Sequence, residues 1–149
     1  MHNEQKNVVY IYSDGACSGN PGRGGWGAVL RFNGHQKDIN GYVENTTNNQ
    51  MELMGAIESL KALKRPSAVV LTTDSQYVCK GMNEWIEGWI KKGWKNSSNK
   101  PVKNMELWKE LHEVSQQHNI EWKWIKGHAG FDGNEQADRL AVQAIKDNT

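Results

Sequence analysis

The chain has 149 residues, 18 lysines and arginines against 17 acids, and 37% hydrophobic residues that include seven tryptophans. That length holds one domain with an adequate core and leaves no room for a useful second one, so a single unit over residues 1–149 is expected, with about residues 1–7 and 147–149 as flexible polar ends. There is no apolar leader or membrane-length apolar run, which argues against export and membrane contact and for a cytoplasmic protein, and a net charge of +1 confers no blanket affinity for nucleic acid.

Val8-Val9-Tyr10-Ile11-Tyr12 is β-branched and aromatic, as a buried strand is, and it stops at Ser13-Asp14-Gly15. A lone carboxylate is an odd end for such a run. The glycine-rich stretch after it contains a formal G-x-G-x-x-G at Gly22, Gly24 and Gly27, but a dinucleotide-binding loop must open a helix. Ala28-Val29-Leu30-Arg31-Phe32 comes next instead, a second strand, then a hairpin turn at Asn33-Gly34 and a return strand from about His35 to Glu44. These glycines are expected to let the backbone pass close to a neighbour or a ligand. Cys17 and Cys79 match no metal-ligand spacing and are expected to be free thiols.

Thr47 and Gln50 have capping-box spacing, and Leu53, Ile57, Leu60 and Leu63 form the apolar stripe of a helix that Arg65-Pro66 ends. Glu52 shares a face with Ala56, Leu60 and Leu63, which turns a carboxylate toward the packed side. The helix dipole accounts for a surface acid at this end better than for a buried one. Val69 to Thr73 is the next strand, and it ends at Asp74 as the first ended at Asp14. A strand in this position predicts a mixed sheet in which it lies parallel to the first by a right-handed crossover, bringing Asp14 and Asp74 together at the carboxyl ends.

Ser75 opens a helical region to about Gly81, and Met82, Trp85, Ile86, Trp89 and Ile90 then recur at amphipathic spacing. Ile86 and Ile90 are expected in the core, whereas Trp85 fits the core and a ligand surface about equally. The stripe runs into a segment from Lys91 to Lys103 with five lysines and no acid, which leaves the rest of the chain, relieved of those five charges from a net +1, at −4. Such a patch is either an ordinary solvated loop or a holder of a phosphate backbone, with its Trp residues available to sugars and bases. Pro101 fits a helix start, with Met105, Trp108 and Leu111 as the stripe of a helix ending near His118. Asn119 to Ile125 alternates as a half-buried strand, Gly127-His128-Ala129-Gly130 is a loop, and a final helix opens near Gly133-Asn134-Glu135 with Ala137, Leu140, Ala141, Ala144 and Ile145 inward. Asp138 flanks that stripe.

Four acids, Asp14, Glu52, Asp74 and Asp138, thus lie beside or at the end of apolar patterns. Brought together they would repel and their carboxyls would resist ionising, unless divalent cations neutralised them. An all-oxygen set without clustered His or Cys selects hard ions, Mg²⁺ or Mn²⁺, and a pair of such ions suits in-line phosphoryl displacement by water. A histidine on a glycine-flanked loop, His128, could then move protons or help product leave.

These residues resemble the bacterial type 1 ribonuclease H family over nearly the whole chain. The resemblance is carried by Ser13-Asp14-Gly15, Gly19-Asn20-Pro21-Gly22, Thr47-Asn48-Asn49-Gln50-Met51-Glu52-Leu53, Thr73-Asp74-Ser75-Gln76-Tyr77-Val78, Lys126-Gly127-His128-Ala129-Gly130, Asn134-Glu135 and Asp138. It implies an α/β ribonuclease H-like fold, a five-stranded mixed sheet flanked by helices, and hydrolysis of the RNA strand of an RNA/DNA hybrid by a two-metal-ion mechanism that leaves 3′-hydroxyl and 5′-phosphate ends. It also implies Asp14, Glu52, Asp74 and Asp138 as ligands of two Mg²⁺ ions, for which Mn²⁺ can substitute, and His128 as a mobile catalytic helper. Asn20, Asn48, Asn49 and Gln76 would lie in the minor groove of the hybrid, with Thr47 on a DNA phosphate. Trp85, Lys91, Lys92 and Lys95 match the family's basic protrusion, and Glu52 with the backbone near Cys17 would read 2′-hydroxyls. A monomer is expected. Ser13 in place of the commoner Thr, and Phe131-Asp132-Gly133 after the histidine, depart from the family pattern without touching a ligand. The alternatives are a DNA nuclease or strand-transfer domain of the same fold, which would act on duplex DNA, and a catalytically silent hybrid-binding module, against which four intact acids argue.

Overall fold

A computed structural model describes residues 4–127 and 132–149. Five strands form one mixed sheet in the order β3-β2-β1-β4-β5, comprising β1 (Val8–Ser18), β2 (Gly22–Phe32), β3 (His35–Thr46), β4 (Ala68–Thr73) and β5 (Asn119–Trp124). β1, β2 and β3 pair antiparallel, while β4 runs parallel to both β1 and β5. The mixed sheet and the parallel β1–β4 neighbours are those expected from the alternation of strands and helices.

Helix α1 (Asn48–Lys61) packs on one face of β1 and β2, with α4 (Met105–Ser115) beside it, and α5 (Asp132–Asp147) covers β1, β2 and β3 on the other face. Between α1, α4 and the sheet lies the main core, in which Ile11, Leu53, Ile57, Leu71, Trp108 and Leu111 are fully buried. Tyr12, Val29 and Ala137 form a second, smaller apolar layer under α5. Period-two alternation on β1 explains the split: Val9 and Ile11 face α1, while Tyr10 and Tyr12 face the other side.

β1 does not stop at Asp14. Its antiparallel pairing with β2 continues from Asp14↔Gly27 to Ser18↔Arg23, so most of the glycine-rich stretch is extended strand rather than turn. The parallel pairing with β4, in contrast, ends at Tyr12↔Thr72, and Asp14 lies just beyond it. Two of the glycines are explained by close approach. A Cβ on Gly15 would come within 2.6 Å of the Glu52 backbone nitrogen, and one on Gly27 would meet the Ala137 carbonyl and lie 2.7 Å from Leu140 Cβ. The neighbours that these glycines admit are helices α1 and α5.

Between β4 and α4 the chain forms α2 (Gln76–Lys80), a π-helical turn (Gly81–Trp85) and α3 (Ile86–Lys91). Ile86 is buried as expected, but Ile90 is 39% exposed. The wider π turn takes one extra residue per turn, which slips the later positions off a regular 3.6-residue face. α4 begins at Met105, not at Pro101, because Pro101 bridges to Lys95 and the Val102 amide donates to the Trp94 carbonyl. The alternation of β5 pairs Trp124 with Ile120 and Trp122 on the side away from Glu121 and Lys123, yet Trp124 is 43% exposed. Near the start of the chain, Glu4 accepts from the Tyr12 hydroxyl at 3.3 Å and the Asn7 amide donates to Asn33 Oδ1 at 2.8 Å, so this end is tied to β1 and the hairpin. Both cysteines are free. Among the described residues no helix is long and apolar enough to cross a membrane.

Candidate active site

Three acids meet where the parallel pairing of β1 and β4 ends. Asp14 extends from β1 just past the parallel pairing, Asp74 follows the last residue of β4, and Glu52 comes from the first half of α1, whose entry is fixed by Thr47. Thr47 Oγ1 accepts from the Gln50 amide at 3.3 Å, the N-cap half of the expected box, whereas the Gln50 side chain turns elsewhere. One oxygen from each of Asp14, Glu52 and Asp74 lies within 4.8 Å of the others. Asp14 and Glu52 are buried, at 8% and 7% exposure.

Burial, then the charge of Asp74, pushes the Asp14 carboxyl up to about 8, against the pull of the Gly15 amide that donates to Asp14 Oδ1 at 2.9 Å. Asp138, on α5, stands outside the 4.8 Å trio but raises Asp14 further. Burial raises Glu52 well above the usual carboxylate range, with Asp14 and Asp74 adding to it. Glu52 Oε1 is buried and has no hydrogen-bond donor. Behind it, on α2, the Cys79 thiol is pushed up to about 11 by burial and by the Glu52 charge, so it is an inert neighbour.

Crowded acids with an orphaned buried oxygen form an incomplete arrangement, since an unpartnered buried carboxylate oxygen is costly. A hard divalent cation fits it: every donor is a carboxylate oxygen, and the raised proton affinities mark negative charge that a cation would compensate.

The polar candidates fall into two groups. Around the N-terminus of α1, the Cys17 thiol donates to the Thr46 carbonyl at 3.4 Å, and Asn20 Oδ1 accepts from the Asn48 amide at 3.1 Å. Asn20, Asn48 and Asn49 are exposed here beside Thr47, and Gln76 is exposed two residues after Asp74. The second group is the basic segment. Lys91, Lys92 and Lys95 are exposed, and Trp85, Trp89, Lys92 and Lys95 line an open groove of about 440 Å³. Trp85 is half-buried, with its ring centroid 6.2 Å from Tyr77 and 5.8 Å from Trp89, so it belongs both to the aromatic cluster and to the surface. His128 lies outside the described residues.

Sequence patterns did not single out Trp124, whose indole N–H donates to the Asp74 carbonyl at 3.0 Å, or Gly127, whose missing side chain leaves room beside the Asp74 carboxylate. Nor did they reveal a second role for Gln50. Its side chain joins Thr46 to Asn104, a partner 54 residues away that no local periodicity can disclose.

The RNase H family model matches residues 6–146. Ribonuclease H of Thiobacillus denitrificans is 56% identical over 138 residues, covering 93% of each chain. Among solved structures, LC9-RNase H1, a type 1 RNase H with the type 2 active-site motif, superposes with a TM-score of 0.86 at 34% identity, over 99% of this chain and 76% of that one. A foamy viral protease-reverse transcriptase solved in complex with RNA/DNA hybrid superposes with a TM-score of 0.69 at 26% identity, over 92% of this chain and 19% of that one. With the family model matching residues 6–146 and a ribonuclease H 56% identical over 93% of the chain, this chain belongs to the RNase H family.

Proposed function

We propose that the protein is an endoribonuclease that hydrolyses the RNA strand of RNA/DNA hybrids, leaving 3′-hydroxyl and 5′-phosphate ends. The observation that carries this proposal is the trio of Asp14, Glu52 and Asp74, the first two buried and the third half-buried, within 4.8 Å of one another, with Glu52 Oε1 lacking any donor. Asp14, Glu52, Asp74 and Asp138 would hold two Mg²⁺ ions, or Mn²⁺ in their place. Such ions, when bound, supply Lewis-acid activation of a water and charge compensation at the leaving oxygen of an in-line displacement.

The chain's own residues position the hybrid. The N-terminus of α1 carries the positive end of the helix dipole beside Thr47, which suits a DNA-strand phosphate. Asn20, Asn48, Asn49 and Gln76 carry amides suited to minor-groove edges, and Glu52 with the backbone at Cys17 would read 2′-hydroxyls of the RNA strand. Trp85, Lys91, Lys92 and Lys95 would hold the backbone of the hybrid away from the acids. His128 would move a proton or help product leave. The protein is proposed to act as a cytoplasmic monomer.

The test is incubation with Mg²⁺ and end-labelled RNA/DNA hybrid, RNA duplex or DNA duplex, followed by analysis of the ends. Cleavage of the hybrid's RNA strand alone, abolished by Asp74→Asn with hybrid binding retained in Ca²⁺, is expected. Cleavage of duplex DNA, or turnover by Asp74→Asn, would overturn the assignment.

A further inference from the structure

A chain of polar side chains crosses the protein between the two groups of candidate substrate residues. Thr46 Oγ1 donates to Gln50 Oε1 at 2.8 Å, and Gln50 Nε2 donates to Asn104 Oδ1 at 3.1 Å. Asn104 Nδ2 in turn donates to the Tyr77 hydroxyl at 3.1 Å, and that same hydroxyl accepts from the fully buried Trp108 indole at 3.0 Å. One end of the chain is the start of α1 at Thr47 and Asn48, where the Asn48 amide donates to Asn20 Oδ1 from the β1–β2 turn. The other is the aromatic cluster, in which the Tyr77 ring lies 5.1 Å from Trp108 and 6.2 Å from Trp85, and Trp89 lies 5.2 Å from Trp108. Trp85 and Trp89 line the groove with Lys92 and Lys95.

Helix capping does not explain this arrangement. Asn104 sits at the N-cap of α4 with φ of 60°, yet its side chain makes no cap hydrogen bond and is spent on Gln50 and Tyr77. Gln50 likewise spends its side chain across the protein instead of completing the capping box. Each amide acts as donor and acceptor at once, so every link fixes the next in direction as well as distance.

We infer that Gln50 and Tyr77 are positioning residues for hybrid binding: through Asn104 they hold the basic segment at a fixed span from the N-terminus of α1, so that both engage one hybrid together. This rests on the proposed hybrid-cleaving function. Two sites held rigidly on one ligand bind more tightly than the same sites on a loose hinge, because the ordering cost is met in folding. The network carries no group that touches the acids, so its loss should appear in KM and not in kcat.

The experiment uses Gln50→Met, which keeps length and removes both side-chain hydrogen bonds, and Tyr77→Phe, which keeps the ring and removes the shared acceptor. Each is measured alone and combined with Lys92→Ala/Lys95→Ala, with Mg²⁺ and a labelled hybrid, at a temperature where circular dichroism shows every variant folded. The expected result is a KM raised by about three- to tenfold with kcat within about twofold, and a smaller penalty for the lysine substitutions in either network background than in the wild type, the scale of coupling between linked sites. A merely structural network would lower the melting temperature but, at that temperature, leave KM and the lysine penalty unchanged, and that outcome would overturn the inference. If the lysine substitutions leave KM unchanged in the wild type itself, the proposed role of the basic segment fails instead, and the inference falls with it.

Discussion

Replacing Asp14 by Asn should stabilise the metal-free protein while destroying its activity. With oxygens of the trio within 4.8 Å, each pair of like charges costs about 3.5 kcal/mol at an effective dielectric of about 20, and about 1 kcal/mol at the value for water. Removing Asp14 relieves two such pairs, with Glu52 and with Asp74, about 2 to 7 kcal/mol when all three carboxyls are ionised and about 6 to 20 °C in melting temperature for a chain of this size. The gain depends on pH in a defined direction. Asp14 holds its proton to about 8 in the fold against 3.8 for an ordinary aspartate, so the fold retains a proton that the unfolded chain releases between those values. The contribution of Asp14 to wild-type stability is thus fullest below about pH 4 and is lost as pH rises toward about 8. Thermal unfolding by circular dichroism in EDTA should show the variant above the wild type at about pH 9, with the difference shrinking by about pH 5, where the wild-type carboxyl is already neutral. Mg²⁺ added at the higher pH should raise the wild type more than the variant. A variant that melts at or below the wild type at high pH, or whose advantage is the same at both pH values, would refute the account of the site as mutual repulsion awaiting a cation.

Neutralising Lys91, Lys92 and Lys95 together should weaken hybrid binding across sequences and flatten its salt dependence by about 0.7 to 0.9 log units of slope for each phosphate no longer neutralised; an unchanged slope in a fluorescence-anisotropy titration would return the patch to an ordinary solvated loop. His128→Ala should slow turnover and leave Mg²⁺-induced stabilisation intact, and loss of that stabilisation would contradict a helper role. Gly27→Ala should destabilise the fold by about 1 to 3 kcal/mol in chemical denaturation, because the added methyl meets the Ala137 carbonyl; equal stability would mean that α5 yields without cost.

The acids were legible in the sequence because each interrupts a pattern. Glu52 shares its helical face with Ala56 and Leu60, which are buried at 0% and 1% exposure, and Glu52 itself is 7% exposed. Asp14 and Asp74 follow β-branched runs whose parallel pairing sets them side by side. The length of β1 was not legible, since glycine has no strand preference to display, and its pairing beyond Asp14 is made by backbone alone. The exposure of Ile90 was hidden for another reason: an apolar repeat assumes uniform turns, and the π turn at Gly81–Trp85 breaks that assumption without changing any residue type. The hydrogen bonds of Gln50 and Trp124 join residues 54 and 50 positions apart, and no short-range spacing encodes them. What came from the family resemblance and not from residue patterns was the assignment of Asn20, Asn48, Asn49 and Gln76 to one substrate.

Helix α1 rests on Gly15 and helix α5 on Gly27, one carrying Glu52 and the other Asp138. In both places the helix meets the sheet main chain to main chain, with no rotatable side chain in between. The spacing of the carboxylates is thereby gauged by peptide geometry, whose bond lengths and planes barely vary, and not by packed side chains that hop between rotamers. Core substitutions that soften the layer between α1 and α4 should erode stability well before they detune the distances among the acids.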